Sequence, residues 1–288
     1  MMNEWCPRII VTGIALVVAL VMSADRVKAG AITAKGSDTL VWVAQKWAEG
    51  YMAAHGETRI QVIGGGSGIG FAALQNQTTD LANASRKIKP REAADCVKAF
   101  GKKPTEYKVC LDGLSVYVNS DNPVRELGLD ELAGIFTGRI RNWSQVGGGD
   151  APIRLYGREN SSGTYEFFKE HVLRGKDFAA TAQTMQGTAM VLEAVVKDKN
   201  GIGYGGSAYG LGATALAIKK TPNSPAIKPS ERTVMDGTYP IWRFLYIYVN
   251  PALDTGEVAA YLNWIRGDEG QRIVKDNGYY PLPAKWRK

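Results

Sequence analysis

Hydrophobic positions along the chain recur in two rhythms: short apolar runs typical of strands, and longer runs with helical spacing. The apolar run Ile32–Ala34 leads into a polar turn at residues 35–40, after which apolar residues recur every three or four positions from Val41 to Tyr51. Residues 59–63 repeat this pattern, since a glycine-rich turn follows them and a second helix is predicted from Phe71. The chain therefore begins with two strand–turn–helix units.

The same rhythm continues to the C-terminus. The pattern predicts strands at 80–84, 107–118, 153–156, 202–204, 213–218 and 243–249, and helices at 92–100, 129–136, 165–173, 190–196, 256–266 and 269–276. Alternating strands and helices favour an α/β fold with two open sheets. No low-complexity linker separates two halves, so two lobes would be joined by crossing strands, which we place in 107–118 and 243–249.

The first 29 residues have the pattern of a secretory signal peptide. Arg8 precedes an uncharged apolar run from Ile9 to Met22, which is shorter than the about 20 residues that a membrane span needs. Val27-Lys28-Ala29 fits a small-x-small cleavage site before Gly30, with Ala24 as the second candidate. Cys6 lies before the apolar run, so the lipoprotein pattern is absent. We expect an exported, periplasmic protein, although an uncleaved anchor stays open.

Composition narrows the function classes. The 288 residues carry 35 Lys and Arg against 28 Asp and Glu, a formal charge of +7, but the basic residues are scattered. A nucleic-acid binder concentrates them on one stripe, so we expect no nucleic-acid partner.

After residue 29 the cysteines are Cys96 and Cys110. In an oxidising compartment we expect them to form a disulfide, contributing roughly 3 kcal/mol, with two buried thiols as the alternative.

Several predicted strands end in turns that carry serine or threonine and lead into a helix. Such turns direct N–H groups and hydroxyls to one place at the positive end of a helix, which favours anions. Any one of these residues alone is also explained by helix capping. Arg158 lies just before the turn at 161–164, where its guanidinium could bind an anion held by the next helix, or form an ordinary salt bridge.

These turns and the segments between them resemble the periplasmic phosphate-binding proteins that serve ABC transporters, in order and spacing over nearly the whole chain after residue 29. The segments that carry the resemblance are Gly36-Ser37-Asp38-Thr39-Leu40, Gly66-Ser67-Gly68, residues 80–86, residues 135–143, residues 158–164 and Asp236-Gly237-Thr238-Tyr239-Pro240. Phe136-Thr137-Gly138 with Asn142-Trp143, and Arg158 with the turn that follows it, are the most specific. The resemblance implies a two-lobed type II periplasmic-binding-protein fold, with the ligand in a cleft between the lobes.

The resemblance also implies a set of ligand residues. The phosphate contacts that it assigns are Thr39, the backbone of Leu40, Ser67, Arg86, Arg158, Ser162, the N–H of Gly163, and Thr164. Some members have a carboxylate at the position of Arg86, which accepts the proton of bound phosphate and so rejects sulfate. Arginine cannot accept a proton. Asp38 and Asp112 are therefore candidate acceptors, each also explained by capping or solvent exposure.

From this resemblance we expect a monomer that binds inorganic phosphate and delivers it to the membrane permease subunits of an ABC transporter. The expected lobes are residues 30–116 with 243–288, and residues 117–242. Other tetrahedral oxyanions, such as sulfate, molybdate, tungstate or an organic phosphate, remain alternatives, because helix ends and an arginine recognise them as well. An exported adhesion or signalling protein that has kept the fold is a further alternative, against which the presence of Arg158 and Thr39 argues.

Sequence motifs do not favour an enzyme or a cofactor. The serine-hydrolase elbow fails at Gly65-Gly66-Ser67-Gly68-Ile69, where isoleucine takes the place of the last glycine. The chain has no phosphate-binding loop of the GxxxxGK[ST] type. Its two histidines, His55 and His171, are too far apart to suggest a zinc site. We therefore expect neither catalysis nor a bound metal.

Overall fold

The computed structural model describes residues 31–210 and 212–287, and the predicted signal peptide with its cleavage before Gly30 lies outside them. The strands of this part are β1 (Ala31–Gly36), β2 (Arg59–Ile63), β3 (Leu81–Ala84), β4 (Thr105–Gly113), β5 (Ser115–Val118), β6 (Glu126–Gly128), β7 (Arg154–Arg158), β8 (Gln183–Met185), β9 (Gly201–Gly205), β10 (Thr214–Ala215), β11 (Ala217–Lys219), β12 (Ala226–Ile227) and β13 (Trp242–Val249). The α-helices are α1 (Val41–Ala54), α2 (Ser67–Gln75), α3 (Pro90–Phe100), α4 (Leu129–Phe136), α5 (Gly163–His171), α6 (Gly187–Lys197), α7 (Glu231–Met235), α8 (Gly256–Arg266) and α9 (Asp268–Asp276).

The strands form two sheets of five and a small sheet of three. The first sheet has the order β2-β1-β3-β13-β4, the second β10-β5-β9-β7-β8 and the third β12-β11-β6. In the first sheet β1 runs parallel to β2 and β3, whereas β13 is antiparallel to β3 and β4. The predicted α/β fold with two open sheets is confirmed.

Two predicted strands are each divided in the structure. The predicted strand from Tyr107 to Val118 is β4 and β5, and only Leu114 separates β4 in the first sheet from β5 in the second. The chain returns to the first sheet at Trp242, where β13 begins. The predicted strand at 213–218 is likewise β10 and β11, which belong to different sheets.

Hydrophobic clusters cover both faces of the first sheet. Alternate residues of β13 point to opposite faces, so Leu245 and Ile247 pack with α1, α8 and α9, while Tyr246 and Tyr248 pack with residues of α2 and α3. A separate cluster, built around Phe136, fills the space about the second sheet. The two sheets thus have their own cores, and none of the helices in 31–210 and 212–287 is long and apolar enough to cross a membrane.

The predicted disulfide is absent, because its two cysteines lie on opposite faces of the first sheet. Cys110 on β4 packs in the cluster of Leu245, and Cys96 on α3 packs in the cluster of Tyr248. Both are buried free thiols. Burial raises the pKa of Cys96 to about 11 and raises the pKa of Cys110 well above its usual value, so both thiols stay protonated and unreactive at neutral pH. The disulfide prediction from the count of cysteines is therefore wrong.

Candidate functional site

Four hydroxyl groups from separate turns meet between the two large sheets, and we refer to Thr39, Ser67, Ser85 and Thr164 as the hydroxyl cluster. The oxygen of Thr39 lies 2.8 Å from that of Thr164, Ser85 lies 3.4 Å from Thr164, and Ser67 lies 3.3 Å from Ser85. All four residues are almost completely buried. Because these residues are far apart in the sequence, it is the fold that brings their turns together.

Each member of the cluster follows a strand whose carboxyl end faces the gap between the sheets. Thr39 lies in the turn between β1 and α1, Ser67 is the first residue of α2, and Ser85 directly follows β3. Thr164 is in the first turn of α5, after β7 of the second sheet. The carboxyl ends of parallel strands share one edge of a sheet, which is where open α/β sheets bind ligands.

Glycines allow the two sides of the gap to approach closely. A side chain at Gly163 would collide with the hydroxyl oxygens of Ser67 and Ser85. Gly66 has a φ of 95°, and a Cβ there would lie 2.5 Å from the carbonyl oxygen of Ser161. The N–H of Gly68 donates to that same carbonyl at 2.9 Å. The structure is therefore closed at this gap, and only glycine fits at the closest contact.

Arg158, at the end of β7, lies at the outer side of the site. Its Nη2 donates to Asp38 Oδ2 at 2.8 Å and to Glu159 Oε1 at 2.7 Å, and its Nη1 donates to Thr188 Oγ1 at 2.8 Å. The Asp38 contact joins the turn after β1 to the end of β7. Burial alone would raise the pKa of Glu159, but the hydrogen bonds and charge of Arg158 outweigh it and lower the pKa of this carboxyl.

A second buried guanidinium, Arg243 on β13, lies on the other side of the hydroxyl cluster. Its Nη2 donates to Thr164 Oγ1 at 3.0 Å, and its Nη1 donates to the carbonyl of Ser85 at 3.0 Å. Asp112 on β4, which is fully buried, accepts from Nε at 3.0 Å and from Nη2 at 2.8 Å. Two arginines therefore flank the cluster, each compensated by carboxylates.

Some of the predicted ligand residues have other contacts. Ser162 caps α5, since its Oγ accepts from the N–H groups of Thr164 and Tyr165 at 3.2 and 3.3 Å. The N–H of Leu40 donates to the carbonyl of Ser37 at 3.1 Å, and its side chain lies in the core. Arg86 forms a bidentate pair with Glu92 at 2.8 and 2.6 Å and lies over the ring of Phe71. The structure thus brings together Thr39, Ser67, Gly163 and Thr164, with Arg158 beside them, but directs Arg86 to α3.

Sequence reasoning did not assign a role to Ser85 or Arg243. Arg243 is the first residue of the predicted strand at 243–249, and a single charge in an otherwise apolar strand is itself a signal of a buried, paired charge. Ser85 directly follows the predicted strand at 80–84. Asp112 is fully buried and paired, so neither capping nor solvent exposure accounts for it.

The arrangement suits a small oxyanion. Hydroxyl donors, the N–H groups at helix starts and a guanidinium can surround an anion that has lost its water. Among residues 31–210 and 212–287, no group of three or more His, Cys, Asp or Glu is placed to hold a metal ion.

Comparison with known proteins covers most of the chain. Residues 23–269 match the family model of a PBP superfamily domain. Phosphate-binding protein PstS of Pseudomonas aeruginosa is 35% identical over 273 residues, which cover 89% of this chain and 84% of that protein. Among solved structures, an ABC-type phosphate transport receptor from Vibrio cholerae is 28% identical, with a TM-score of 0.69 over 88% of this chain and 100% of that one.

A protein from Clostridium perfringens, solved with bound phosphate, is similar in fold, with a TM-score of 0.80, 24% identity, and coverage of 88% of this chain and 100% of that one. The two-lobed type II fold expected from the resemblance is confirmed by these structures. The chain therefore belongs to the PstS family of phosphate-binding proteins, within the PBP superfamily.

Proposed function

We propose that the protein binds inorganic phosphate between its two lobes and delivers it to an ABC transporter for import. The observation that carries this proposal is the hydroxyl cluster, in which turns at the strand ends of both large sheets come into contact. Arg158 is joined to Asp38, the residue next to Thr39 in the cluster. The name of the P. aeruginosa relative and the phosphate in the C. perfringens structure support this ligand over other oxyanions. Those relatives are binding proteins of transport systems rather than enzymes.

The proposed phosphate ligands are the predicted residues Thr39, Leu40, Ser67, Arg86, Arg158, Ser162, Gly163 and Thr164, to which we add Ser85. The cluster contacts support Thr39, Ser67, Ser85, Gly163 and Thr164 most directly. The other three residues already have partners within the protein, which they would have to share with the anion. Ser162 caps α5, the N–H of Leu40 donates to Ser37, and Arg86 pairs with Glu92.

The lobes that we propose are residues 30–116 with 243–288, and residues 117–242. This division is supported by the passage of the chain from the first sheet to the second at Leu114, just before β5, and by its return to the first sheet at Trp242. Binding would then close a hinge, because the anion gains hydrogen bonds from both lobes only when they meet. We propose that the closed form docks on the permease, and that the chain acts as an exported, periplasmic monomer after its signal peptide is removed.

Calorimetric titration at neutral pH tests the ligand. The chain beginning at Gly30, freed of bound anions, is titrated with phosphate and, separately, with sulfate. Tight phosphate binding that excess sulfate does not displace is expected. Equal or stronger sulfate binding would assign the site to a different oxyanion, and binding of neither anion would contradict the proposal.

A further inference from the structure

Arg243 stands out because it is a buried cation that contacts both sides of the gap but is not among the predicted ligands. It belongs to the first sheet, and it reaches the carbonyl of Ser85 on that side and the hydroxyl of Thr164 on the other. The ring of Phe167 lies 5.1 Å from its guanidinium and covers it. Arg243 is thus built into the closed state and held there from both sides.

The hydrogen bond from Arg243 determines what the Thr164 hydroxyl can do. Arginine has donors but no acceptor, so in this contact Thr164 Oγ1 must accept. A hydroxyl has a single hydrogen, which is left to point away from Arg243, toward Thr39 or Ser85 or toward a ligand in their place. Thr164 is therefore oriented as a donor to the site.

Ser67 is oriented in the same way by the backbone. The N–H of Ser85 donates to Ser67 Oγ at 3.0 Å, which leaves the hydrogen of Ser67 for Ser85 Oγ or for a ligand. Two hydroxyls from opposite sides of the gap thus offer hydrogens to the ligand. Each makes its stronger hydrogen bond to a ligand oxygen that carries charge and no proton.

Asp112 keeps the Arg243 guanidinium in this orientation. Its Oδ2 accepts from Nε and Nη2, and its Oδ1 accepts from the N–H of Ser207 at 3.0 Å. The pair compensates its own charge, so Arg243 contributes a directed hydrogen bond rather than a free positive charge. Removing one partner would leave a buried charge unpaired, whereas replacing both by amides would not.

We propose that Arg243 is a positioning residue of the anion site, which orients the Thr164 hydroxyl as a donor and thereby favours the hydrogen phosphate dianion over dihydrogen phosphate. This inference rests on the proposed phosphate binding. The dianion has three bare oxygens and the monoanion two. The proposed ligands include the N–H of Gly163 and the guanidinium of Arg158 besides the two oriented hydroxyls, so the donors outnumber the monoanion's bare oxygens and one of them meets its extra P–OH group. A donor that faces a P–OH hydrogen makes no hydrogen bond, which disfavours that form.

The test is a cycle of variants in which net charge is unchanged. The double-amide variant combines Asp112→Asn with Arg243→Gln and so replaces the ion pair by two amides. It is made in two backgrounds, one with Thr164 and one with Thr164→Val. With Thr164 present, phosphate affinity at about pH 8 should fall about tenfold, the size of one charge-assisted hydrogen bond. In the Thr164→Val background, the same replacement should change affinity less than about twofold. An equal loss in both backgrounds would overturn the proposal.

The pH dependence gives a second readout that a purely structural role would not change. Phosphate and sulfate affinities are measured at about pH 5.5 and about pH 8. The ratio of phosphate affinity to sulfate affinity is then compared between the unaltered protein and the double-amide variant. Sulfate carries no proton in this range, so its affinity reports only groups of the protein. The ratio should rise more steeply with pH in the unaltered protein. An identical rise in both would contradict donor orientation by Arg243.

The sulfate measurement is needed because other groups surround this region. Facing Arg243 across a cleft are Arg86, Lys87, Lys89, Glu166, Glu170 and His171, and near Thr164 are Asp38, Arg158 and Glu159. Burial raises the pKa values of Tyr117, Tyr209 and Tyr279, near Asp112, above the pH range of these measurements.

A matched control is the ion pair of Lys89 and Glu166, which also joins the two sides, at 2.9 Å, but has no contact with the hydroxyl cluster. Lys89→Gln with Glu166→Gln should leave the phosphate affinity within about twofold and the rise of the phosphate-to-sulfate ratio with pH unchanged.

A second variant, Arg243→Lys, is used if the double-amide variant does not fold. It keeps the charge beside Asp112 but loses the fork that also reaches Thr164, so the phosphate-to-sulfate ratio should rise less steeply with pH. Absence of phosphate binding to the unaltered protein would instead refute the proposed function, and this inference with it.

Discussion

The two arginines that flank the hydroxyl cluster have different surroundings. Arg158 is shared by Asp38 and Glu159, which are each about one-fifth exposed, whereas Arg243 pairs with a fully buried Asp112. Arg158 ends a strand before a helix, so a motif in the sequence identifies it. Arg243 comes from a strand far along the chain and reaches the site through the fold. Both guanidinium groups are themselves buried. Arg158, which we refer to as the rim cation because its carboxylate partners are partly exposed, can exchange them for a ligand, whereas a pair in which both partners are buried is suited to fixing an orientation.

The largest expected effect follows from removing the rim cation. Arg158→Ala should weaken phosphate binding by an amount on the order of 3–5 kcal/mol, by analogy with broken buried charge pairs. Asp38 and Glu159 would then face the anion without compensation. Calorimetric titration measures the change, and a dissociation constant equal to that of the unaltered protein would show that Arg158 is not at the site.

A smaller loss is expected from preventing close approach at the start of α5. Gly163→Ala places a methyl group against the hydroxyls of Ser67 and Ser85, which should weaken phosphate binding by about 1–3 kcal/mol. Gly149→Ala is a matched control, because nothing lies within 4 Å of the added Cβ. Similar affinities for the two variants would mean that the lobes do not close at Gly163 when phosphate binds.

A change in acid sensitivity should follow from the carboxylate beside Arg158. Because the pKa of Glu159 is lowered from 4.5 in the folded protein, its ionised form stabilises the fold above that pH. This contribution is lost as the pH falls through the lower, folded value. Glu159→Gln should therefore make unfolding free energy decline less steeply below about pH 4.5, by under about 1 kcal/mol. Urea unfolding at several acidic pH values measures this decline. If the contact with Arg158 were unimportant, the unfolding free energy would fall equally steeply with pH in Glu159→Gln and in the unaltered protein.

No effect is expected from reduction of the protein. The chain beginning at Gly30 should show two free thiols when it is denatured without reductant, because Cys96 and Cys110 lie on opposite faces of the first sheet. Its melting temperature should be the same with and without a reducing agent. Finding no titratable thiol would restore the disulfide that the sequence suggested.

The sequence predicted the elements of the fold well, because helical and strand spacing are local properties. The helix at 256–266 has the predicted bounds, and β13 begins one residue before the predicted strand. The crossing at Leu114 was not predicted, since a continuous strand-forming segment does not show where the chain passes to another sheet. The predicted disulfide was wrong for a related reason: the face on which a cysteine lies depends on the alternation of the whole sheet.

The candidate site was predicted where its residues lie in strand-end turns and missed where they depend on pairing between distant strands. The family resemblance assigned Thr39, Ser67 and Thr164, which lie in the turn segments that carry it. Arg243 meets Asp112 because β13 pairs with β4 in a register that sets these two residues opposite one another. No spacing within one segment could indicate that pairing.

The most direct test of phosphate binding between the lobes is a crystal structure of the chain grown with phosphate. The account predicts a phosphate held by Ser67 and Ser85 on one side and by Gly163 and Thr164 on the other, with Arg158 in contact and Arg243 behind Thr164. A phosphate bound elsewhere, for example in the aromatic cleft of Trp242 and Phe244, would contradict it.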